Sequence, residues 1–317
     1  MKIAAQFNFD ECFQTFPRLR SPANLTDFWN KAMQDFKKVP VEPRQKLVLK
    51  KSLGLESMMD VSFQSFGGAR IRAILSIPRL RKRVPVVISF HDYHAKPELV
   101  KTFADRGVAH MAMELRDHNL RLETGSQGQK DVPAPHFRRY GLEDLENSYP
   151  YACFLDAIRC VDFIRLQKNI DPQRIALWGQ GFGAALAVFV AVQRKDIATL
   201  ALENMGLTWM EGFLQESQGA AAQEIREIME GMTPAKKTKL RKNLDYLDVL
   251  NWSEGLRKEA LTLISLKDGI NPPRSSFAFF NHLLGDKAME LFPEENAVLK
   301  REKAVRFLSE KLTGKSV

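Results

Sequence analysis

The chain has 317 residues, 44% of them hydrophobic and 27% charged, so it is long enough to bury a sizeable core. No segment reaches the apolar length of a membrane span, and the first residues lack the apolar region of a signal peptide, which favours a cytoplasmic protein with no membrane partner. The net charge is +9, but its basic runs are short and scattered and fit no zinc-finger, RNA-recognition or basic-zipper pattern, so nucleic acid is not favoured as a partner.

The N-terminal part, about residues 20–80, predicts a helix followed by a β-hairpin. Apolar residues form a helical stripe from Leu25 to Phe36, and Asn24 stands where a helix-capping side chain is expected. Val61–Phe66 then alternates in polarity, a Gly-Gly pair follows, and Ile71–Pro78 continues as a second strand.

Short β-branched runs then recur at helix-length intervals, as in repeated βαβ units. Such runs are typical of strands buried on both faces of a parallel sheet. They predict one α/β domain over residues 1–317, with a mostly parallel sheet and helices on both faces. The runs are Val84–Phe90, Ala109–Leu115, Arg174–Trp178, Thr199–Leu202 and Leu261–Leu266.

The strand pattern stops between about residues 205 and 257, where the sequence is helical and rich in Met and Lys. An insertion after a core strand often forms a cap over a pocket, so a helical cap is expected here.

The turn Gly179-Gln180-Gly181-Phe182-Gly183 joins one of these strands to a helix over Ala184–Gln193. In α/β-hydrolases the nucleophile stands at the tip of such a strand-to-helix turn, flanked by glycines because the backbone is crowded there. Gly181 occupies the tip. Glycine tolerates the strained backbone, but it offers no nucleophile to an ordinary serine-hydrolase mechanism.

The same turn has an alternative interpretation. Gly179-x-Gly181-x-x-Ala184 fits a relaxed dinucleotide-binding fingerprint, and Glu203 ends the next strand. Nucleotide binding therefore stays open as a second function, although such glycine patterns are common and this one lies in the middle of the chain.

Six further stretches, taken with the turn, resemble the acetyl xylan esterases and cephalosporin C deacetylases, a carbohydrate-esterase branch of the α/β-hydrolases. The resemblance covers nearly the whole chain and implies an α/β-hydrolase fold with a helical cap insertion. The stretches are Asp27–Trp29, Phe90–Tyr93, Gly141–Asp144, Tyr151–Ala157, Asp171–Ile175 and Leu266–Pro273.

The resemblance assigns the catalytic positions residue by residue. It places the triad acid on Asp268, the nucleophile on Gly181 and the general-base histidine on Ala297, so only the acid is retained. The oxyanion-hole loop keeps Tyr93 but carries Asp92, whose carboxylate would oppose a developing oxyanion, and Ala95, both where glycines are usual.

The remaining family motif, Arg-Gly-Gln, is present as Arg116-Asp117-His118 with only the arginine kept. These departures imply a catalytically degenerate member, a pseudo-esterase with a binding or assembly role. The resemblance also implies an acetylated carbohydrate or small ester as ligand and a homo-oligomer. A pocket beneath the cap is expected to involve Tyr93, Phe182, Trp178 and Trp209, with Arg116 as a further binding residue.

A weak carboxyl-ester hydrolase with a non-standard site is the competing hypothesis. Asp268 with Glu294 or Glu295 would supply a carboxylate pair for water activation. A cluster of His91, His94 and His118 with Asp92 and Asp117 would supply metal ligands, but its spacing matches no metal motif. Structural roles are favoured for all of these residues, and no metal or cofactor is expected.

The three cysteines, Cys12, Cys153 and Cys160, form no Cys-x-x-Cys pair. They indicate buried apolar side chains and neither a disulfide framework nor a thiolate metal site.

Overall fold

The computed structural model describes residues 9–48, 56–79, 83–117 and 136–315, and a nine-stranded sheet runs through their centre. The strands follow the spatial order β1-β2-β3-β5-β4-β6-β7-β8-β9. In chain order they are β1 Arg44–Leu47, β2 Glu56–Gln64, β3 Arg70–Pro78, β4 Val84–Phe90, β5 Ala109–Met113, β6 Ile170–Gln180, β7 Ile197–Glu203, β8 Glu259–Ser265 and β9 Lys287–Phe292.

The sheet is mostly parallel, which confirms the predicted fold class. Strand β4 pairs in parallel with β5 and β6, and β6 to β9 continue in parallel. The first three strands are antiparallel to their neighbours, and the predicted hairpin is the β2–β3 pair. Carboxyl ends of β4, β6, β7 and β8 therefore meet at one edge of the sheet, where α/β proteins place their sites.

Helices cover both faces of the sheet. They are α1 Phe9–Gln14, α2 Leu25–Lys37, α3 Thr102–Asp105, α4 His136–Tyr140, α5 Tyr149–Arg165, α6 Phe182–Gln193, α7 Met210–Glu216, α8 Ala220–Glu230, α9 Pro234–Leu247, α10 Pro273–His282 and α11 Ala297–Thr313.

Alternate side chains of the strands enter two different cores, as the pleat of a strand requires. Ile88 of β4 belongs to the larger core, which it shares with Trp29 of α2 and with much of α5 and α6. Its neighbour Val87 belongs to the smaller core on the other face, with Phe103 of α3 and Leu308 of α11. The sheet is thus packed on both sides, which explains its continuous apolar runs.

The N-terminal helix is where the sequence predicts it, but its capping is different. The side chain of Asn24 makes no capping hydrogen bond; its Oδ1 instead accepts from the hydroxyl of Tyr246 at 2.6 Å. Trp29, fully buried, donates from Nε1 to the carbonyl of Tyr246 at 3.1 Å. Helix α2 is therefore tied to α9, which lies far along the chain. Asn24 stands at the N-cap position, as expected, but its side chain does not cap the helix.

Between β7 and β8 the chain forms three helices, α7 to α9, followed by a 3-10 segment over Val249–Gly255. None of the helices in the described part of the chain is both long and apolar enough to cross a membrane. Cys12, Cys153 and Cys160 are buried and unbridged.

Candidate active site at the β6–α6 turn

The turn between β6 and α6 has the strained backbone that its sequence predicts. Gly181 has φ 53° and ψ −116°, a region that residues with a Cβ rarely occupy. Its N–H donates to the carbonyl of Glu203 at 2.9 Å, and its own carbonyl accepts from Gly206 at 3.0 Å. The tip of the turn is thus fixed to the end of β7 and the residues that follow it.

The flanking glycines are required by close packing. A Cβ on Gly183 would lie 2.0 Å from the carbonyl oxygen of Phe90, and one on Gly179 would lie 2.4 Å from the Cα of Ala184. Helix α6 therefore approaches β4 and β6 more closely than any side chain at these positions would allow.

The side chain of Asp92, two residues after β4, lies against this turn. Its Oδ1 accepts from the backbone N–H groups of Tyr93 and Phe182, both at 2.7 Å, and its Oδ2 accepts from the Asn271 side chain at 2.7 Å. Burial raises the pKa of the Asp92 carboxyl to about 6, although these three donors act in the opposite direction. The sequence identified Asp92 as a group near the oxyanion loop but not its contact with α6.

Asp268 follows β8 and is fixed by hydrogen bonds to its immediate neighbours. Its Oδ1 accepts from the N–H groups of Ile270 and Asn271, and its Oδ2 accepts from the Asn204 side chain at 2.7 Å. Burial raises its pKa above the ordinary value. No imidazole within the described ranges hydrogen-bonds to this carboxylate, and Ala297 is an exposed residue at the start of α11.

Asn271 and Asn204 are site residues that sequence reasoning missed. Asn271 joins the two carboxylates, since its backbone N–H donates to Asp268 while its side chain donates to Asp92. Asn204 directly follows β7, and Asn271 lies in the family-like stretch after β8. Their position at the carboxyl ends of neighbouring strands was the available signal.

An ionic cluster in which Lys300 and Glu203 are buried and Glu295 is half-exposed lies beside Asp268. Lys300 of α11 is 2% exposed, and its Nζ lies 2.7 Å from Glu295 and 4.0 Å from Glu203. Burial raises the pKa of the Glu203 carboxyl to about 7, while Lys300 lowers it. Glu295 also accepts from Asn204 at 3.1 Å, so Asp268 and Glu295 share one amide group.

Of the two carboxylate pairs expected for Asp268, the described contacts link it to Glu295, through the side-chain amide of Asn204. The carboxylate of Glu294 forms an exposed ion pair with Lys267 instead.

The expected aromatic binding residues are brought together only in part. The rings of Tyr93 and Phe182 lie 6.3 Å apart, and the hydroxyl of Tyr93 donates to Glu224 of α8 at 2.9 Å. Trp178 points to the opposite face of the sheet, where its ring packs near Phe103 and its Nε1 donates to Glu203 at 2.7 Å. Trp178 is thus separated from the other two by the sheet itself.

Arg116 is held in a buried ion pair. Its Nε and Nη2 donate to the two carboxylate oxygens of Asp156, both at 2.7 Å, and its Nη2 also donates to the carbonyl of Phe66. Two parallel bonds of this kind fix a guanidinium firmly. Here they join the start of the loop after β5 to helix α5.

The proposed metal cluster cannot be assembled from the described residues. His118 lies outside them, and they contain no group of three or more side chains placed to hold a metal ion. His91 accepts at Nε2 from the N–H of Leu115, while its Nδ1 lies 2.7 Å from the carbonyl of Asp92. Its two ring nitrogens therefore have structural contacts.

Three of the residues expected at a site, Trp209, Trp178 and His91, line two separate cavities. One of about 510 Å³ lies between the residues before α2 and helices α7, α8 and α9, and Trp209 lines it. Another, of about 40 Å³, is lined by Trp178 and His91. Tyr93 and Phe182 line neither of them.

The groups that a dinucleotide would need are already engaged. The N–H of Phe182 at the start of α6 donates to Asp92, so a phosphate there would meet a carboxylate. The carboxylate of Glu203 accepts from Trp178 and Gln180. The geometry of the turn thus gives the nucleotide-binding hypothesis no support, and that hypothesis stays a prediction.

Comparison with protein families gives a match over nearly the whole chain. A family model described as acetyl xylan esterase (AXE1) matches residues 3–311. A curated relative, the acetyl esterase Axe7A of Xylanibacter ruminicola, is 20% identical over 286 residues. That alignment covers 87% of this chain, which spans 64% of the relative's length.

Two solved structures share the fold closely. The acetyl xylan esterase from Paenibacillus sp. R4 has a TM-score of 0.85 at 23% identity, covering 95% of this chain and 98% of that one. Acetyl xylan esterase 1 from Thermoanaerobacterium sp. JW/SL YS485 has a TM-score of 0.83 at 20% identity, covering 96% and 99%. At these identities the likeness concerns the fold.

Proposed function

The chain belongs to the acetyl xylan esterase family, and from that membership we propose that it is a member that binds a ligand without hydrolysing it. One observation carries the proposal. The strained strand-to-helix turn is kept, yet its tip is Gly181, which has no side chain to attack an ester. Removing the nucleophile of a serine-hydrolase triad lowers the rate by many orders of magnitude.

The surroundings of Asp268 support the same proposal. A triad acid works by orienting an imidazole, whereas the Asp268 carboxylate accepts from Asn204 and from two backbone N–H groups. Ala297, at the position that the family resemblance gives to the base, carries only an exposed methyl group. Asp268 in this proposal stabilises the loop after β8 and has no catalytic partner.

The ligand class that we propose is acetylated carbohydrate, and the cavity of about 510 Å³ is its candidate site. Its volume falls in the range of small-molecule pockets. Apolar and charged side chains both line it, which suits a sugar with apolar and polar faces. They include Trp209, Leu214, Met229, Leu244, Arg18, Arg226, Arg241 and Asp245.

A weak hydrolase with a non-standard site is the second candidate, and one observation favours it. Asp268 and Glu295 share the side-chain amide of Asn204, so two carboxylates lie close together next to the turn. Such a pair is able to activate a water molecule. Lys300 offsets the charge of Glu295, however, and this favours a structural role.

Calorimetric titration with acetylated xylo-oligosaccharide tests the proposal, with free acetate measured in the same samples. We expect binding without acetate release. Leu214→Trp, which fills the cavity, is expected to weaken binding at least about tenfold, equivalent to about 1.4 kcal/mol. Lys239→Trp, which adds the same ring at an exposed position of α9, serves as control. Acetate release that is lost in Asp268→Asn would overturn the proposal in favour of the weak hydrolase.

A further inference from the structure

Two backbone N–H groups at the turn converge on one point. They belong to Phe182, which follows the tip of the turn, and to Tyr93, which lies in the loop after β4. In α/β-hydrolases the oxyanion hole is made by the N–H of the residue after the nucleophile and by an N–H from a loop after an early strand. The pair of donors therefore has the makeup of an anion-binding hole.

The occupant of this hole is a side chain of the protein itself. Oδ1 of Asp92 lies 2.7 Å from both nitrogens, a distance typical of hydrogen bonds to a charged acceptor. Oδ2 is held at 2.7 Å by the side chain of Asn271. Three donors thus fix the carboxylate in one orientation.

The carboxylate also fills the space that a side chain at the tip would need. A Cβ built on Gly181 would lie 2.0 Å from Cγ of Asp92 and 2.1 and 2.3 Å from its two oxygens. All three of these nearest atoms are carboxyl atoms of Asp92. The Asp92 carboxylate therefore fits in this position only because residue 181 has no side chain.

We propose that the hole at the β6–α6 turn is a carboxylate-binding site for which Asp92 is the built-in ligand. Asp92 stands where the oxyanion of a bound ester, or the carboxylate of a released acid, would otherwise stand. A protein that has lost Asp92 therefore takes a small monocarboxylate such as acetate from solution. The inference rests on the proposed function in one respect, because it needs a tip without a side chain.

Acetate binding by an Asp92→Gly variant tests the inference. Thermal unfolding is followed at pH 7.5 in rising sodium acetate, against sodium chloride at equal ionic strength. We expect Asp92→Gly to gain about 2 °C at acetate tenfold above its Kd. The unmodified protein is expected to gain nothing, because its hole is full.

Asp171→Gly is the matched control, since Asp171 also accepts a backbone N–H, that of Gln173, but near the start of β6. Equal acetate stabilisation in the unmodified protein, or none in a folded Asp92→Gly variant, would overturn the inference.

A second measurement covers the case in which Asp92→Gly does not fold. The chain has five tyrosines, so protein labelled with ¹⁵N-tyrosine gives few amide signals. The Tyr93 amide proton is expected far downfield, and to lose that shift in Asp92→Asn. If no tyrosine amide responds to Asp92→Asn, the inference is wrong.

Neither readout depends on hydrolysis. If the unmodified protein hydrolyses the ester and Asp92→Gly binds acetate, the proposed function alone is contradicted. If the unmodified protein does not hydrolyse the ester and Asp92→Gly does not bind acetate, this inference alone is contradicted.

Discussion

At the scale of single residues, the site depends on the pairing of Gly181 with Asp92. The sequence showed both as departures from the family pattern, and it predicted that a carboxylate in the loop would oppose an oxyanion. It gave no indication that the carboxylate bonds to Phe182, ninety residues away, because the direction of a loop side chain is not encoded in any periodic pattern.

Restoring a serine at the tip is expected to destabilise the protein. Gly181→Ser places a Cβ against the Asp92 carboxylate at a positive φ, so we expect a loss of about 2 to 4 kcal/mol in unfolding free energy. In an Asp92→Gly background the same change is expected to cost at least about 1 kcal/mol less. Urea unfolding of the four proteins measures this coupling.

Gly67→Ser controls for backbone strain alone, because Gly67 has φ 66° and no atom within 4 Å of a built Cβ. Strictly additive effects of the changes at positions 92 and 181 would contradict the steric contact.

The raised pKa of Asp92 is expected to appear in the pH dependence of stability. Burial raises it from 3.8 to about 6, so between these values the folded state binds the proton more tightly than the unfolded state. The contribution of Asp92 to stability therefore falls as pH rises from about 4 to 6. Asp268, which raises this pKa further, is the charged group facing it.

Asp92→Asn removes this titration. As the pH rises from about 4 to 6, the unmodified protein is expected to lose stability relative to Asp92→Asn. The difference in unfolding free energy between the two proteins is expected to change by about 1 to 3 kcal/mol in favour of the variant. Denaturant unfolding at several pH values measures the difference, in which other titrating groups largely cancel. Parallel stability profiles for the two proteins would show that Asp92 is not a buried acid.

At the scale of elements, the buried strands could be predicted and the edge strands could not. β4, β6, β7 and β8 are apolar runs, and the sequence located each of them. β1 is exposed at all four positions and β9 is buried only at Phe292, so neither has the pattern of a buried strand. Pairing with a neighbour, and not burial, makes these segments strands.

The junction between α11 and the sheet is expected to depend on Lys300. Lys300→Met leaves Glu203 buried without its nearby cation, which is expected to lower the unfolding free energy by about 3 kcal/mol. Adding Glu203→Gln is expected to recover part of the loss. Chemical unfolding measures both variants.

Lys267→Met breaks an exposed ion pair with Glu294 and is expected to cost less than about 1 kcal/mol. A cost for Lys300→Met as small as that of this control would contradict the role of the ionic cluster.

At the scale of the whole molecule, the fold could be predicted because its signals are repeated along the chain, whereas the site depends on single side chains. Six family-like stretches and five apolar runs all indicated one α/β architecture. The binding residues were harder to predict. Tyr93 lies in the loop after β4 and Trp178 lies within β6, and their side chains enter the cores on opposite faces of the sheet.

Self-association, which the family resemblance implies, remains a prediction for the whole chain. Gel filtration over a range of concentrations is expected to give an apparent mass above that of one chain. Elution as a monomer at every concentration would contradict it.

The central claim of the proposed function is that this chain binds a ligand and does not hydrolyse it. The rate of activated aryl acetate hydrolysis by the unmodified protein tests it most directly, with heat-denatured protein as the reference. We expect no turnover above that reference, because Gly181 supplies no nucleophile and Asp92 fills the anion hole. Multiple turnovers well above the reference, abolished in Asp268→Asn, would contradict the claim and show a working hydrolase.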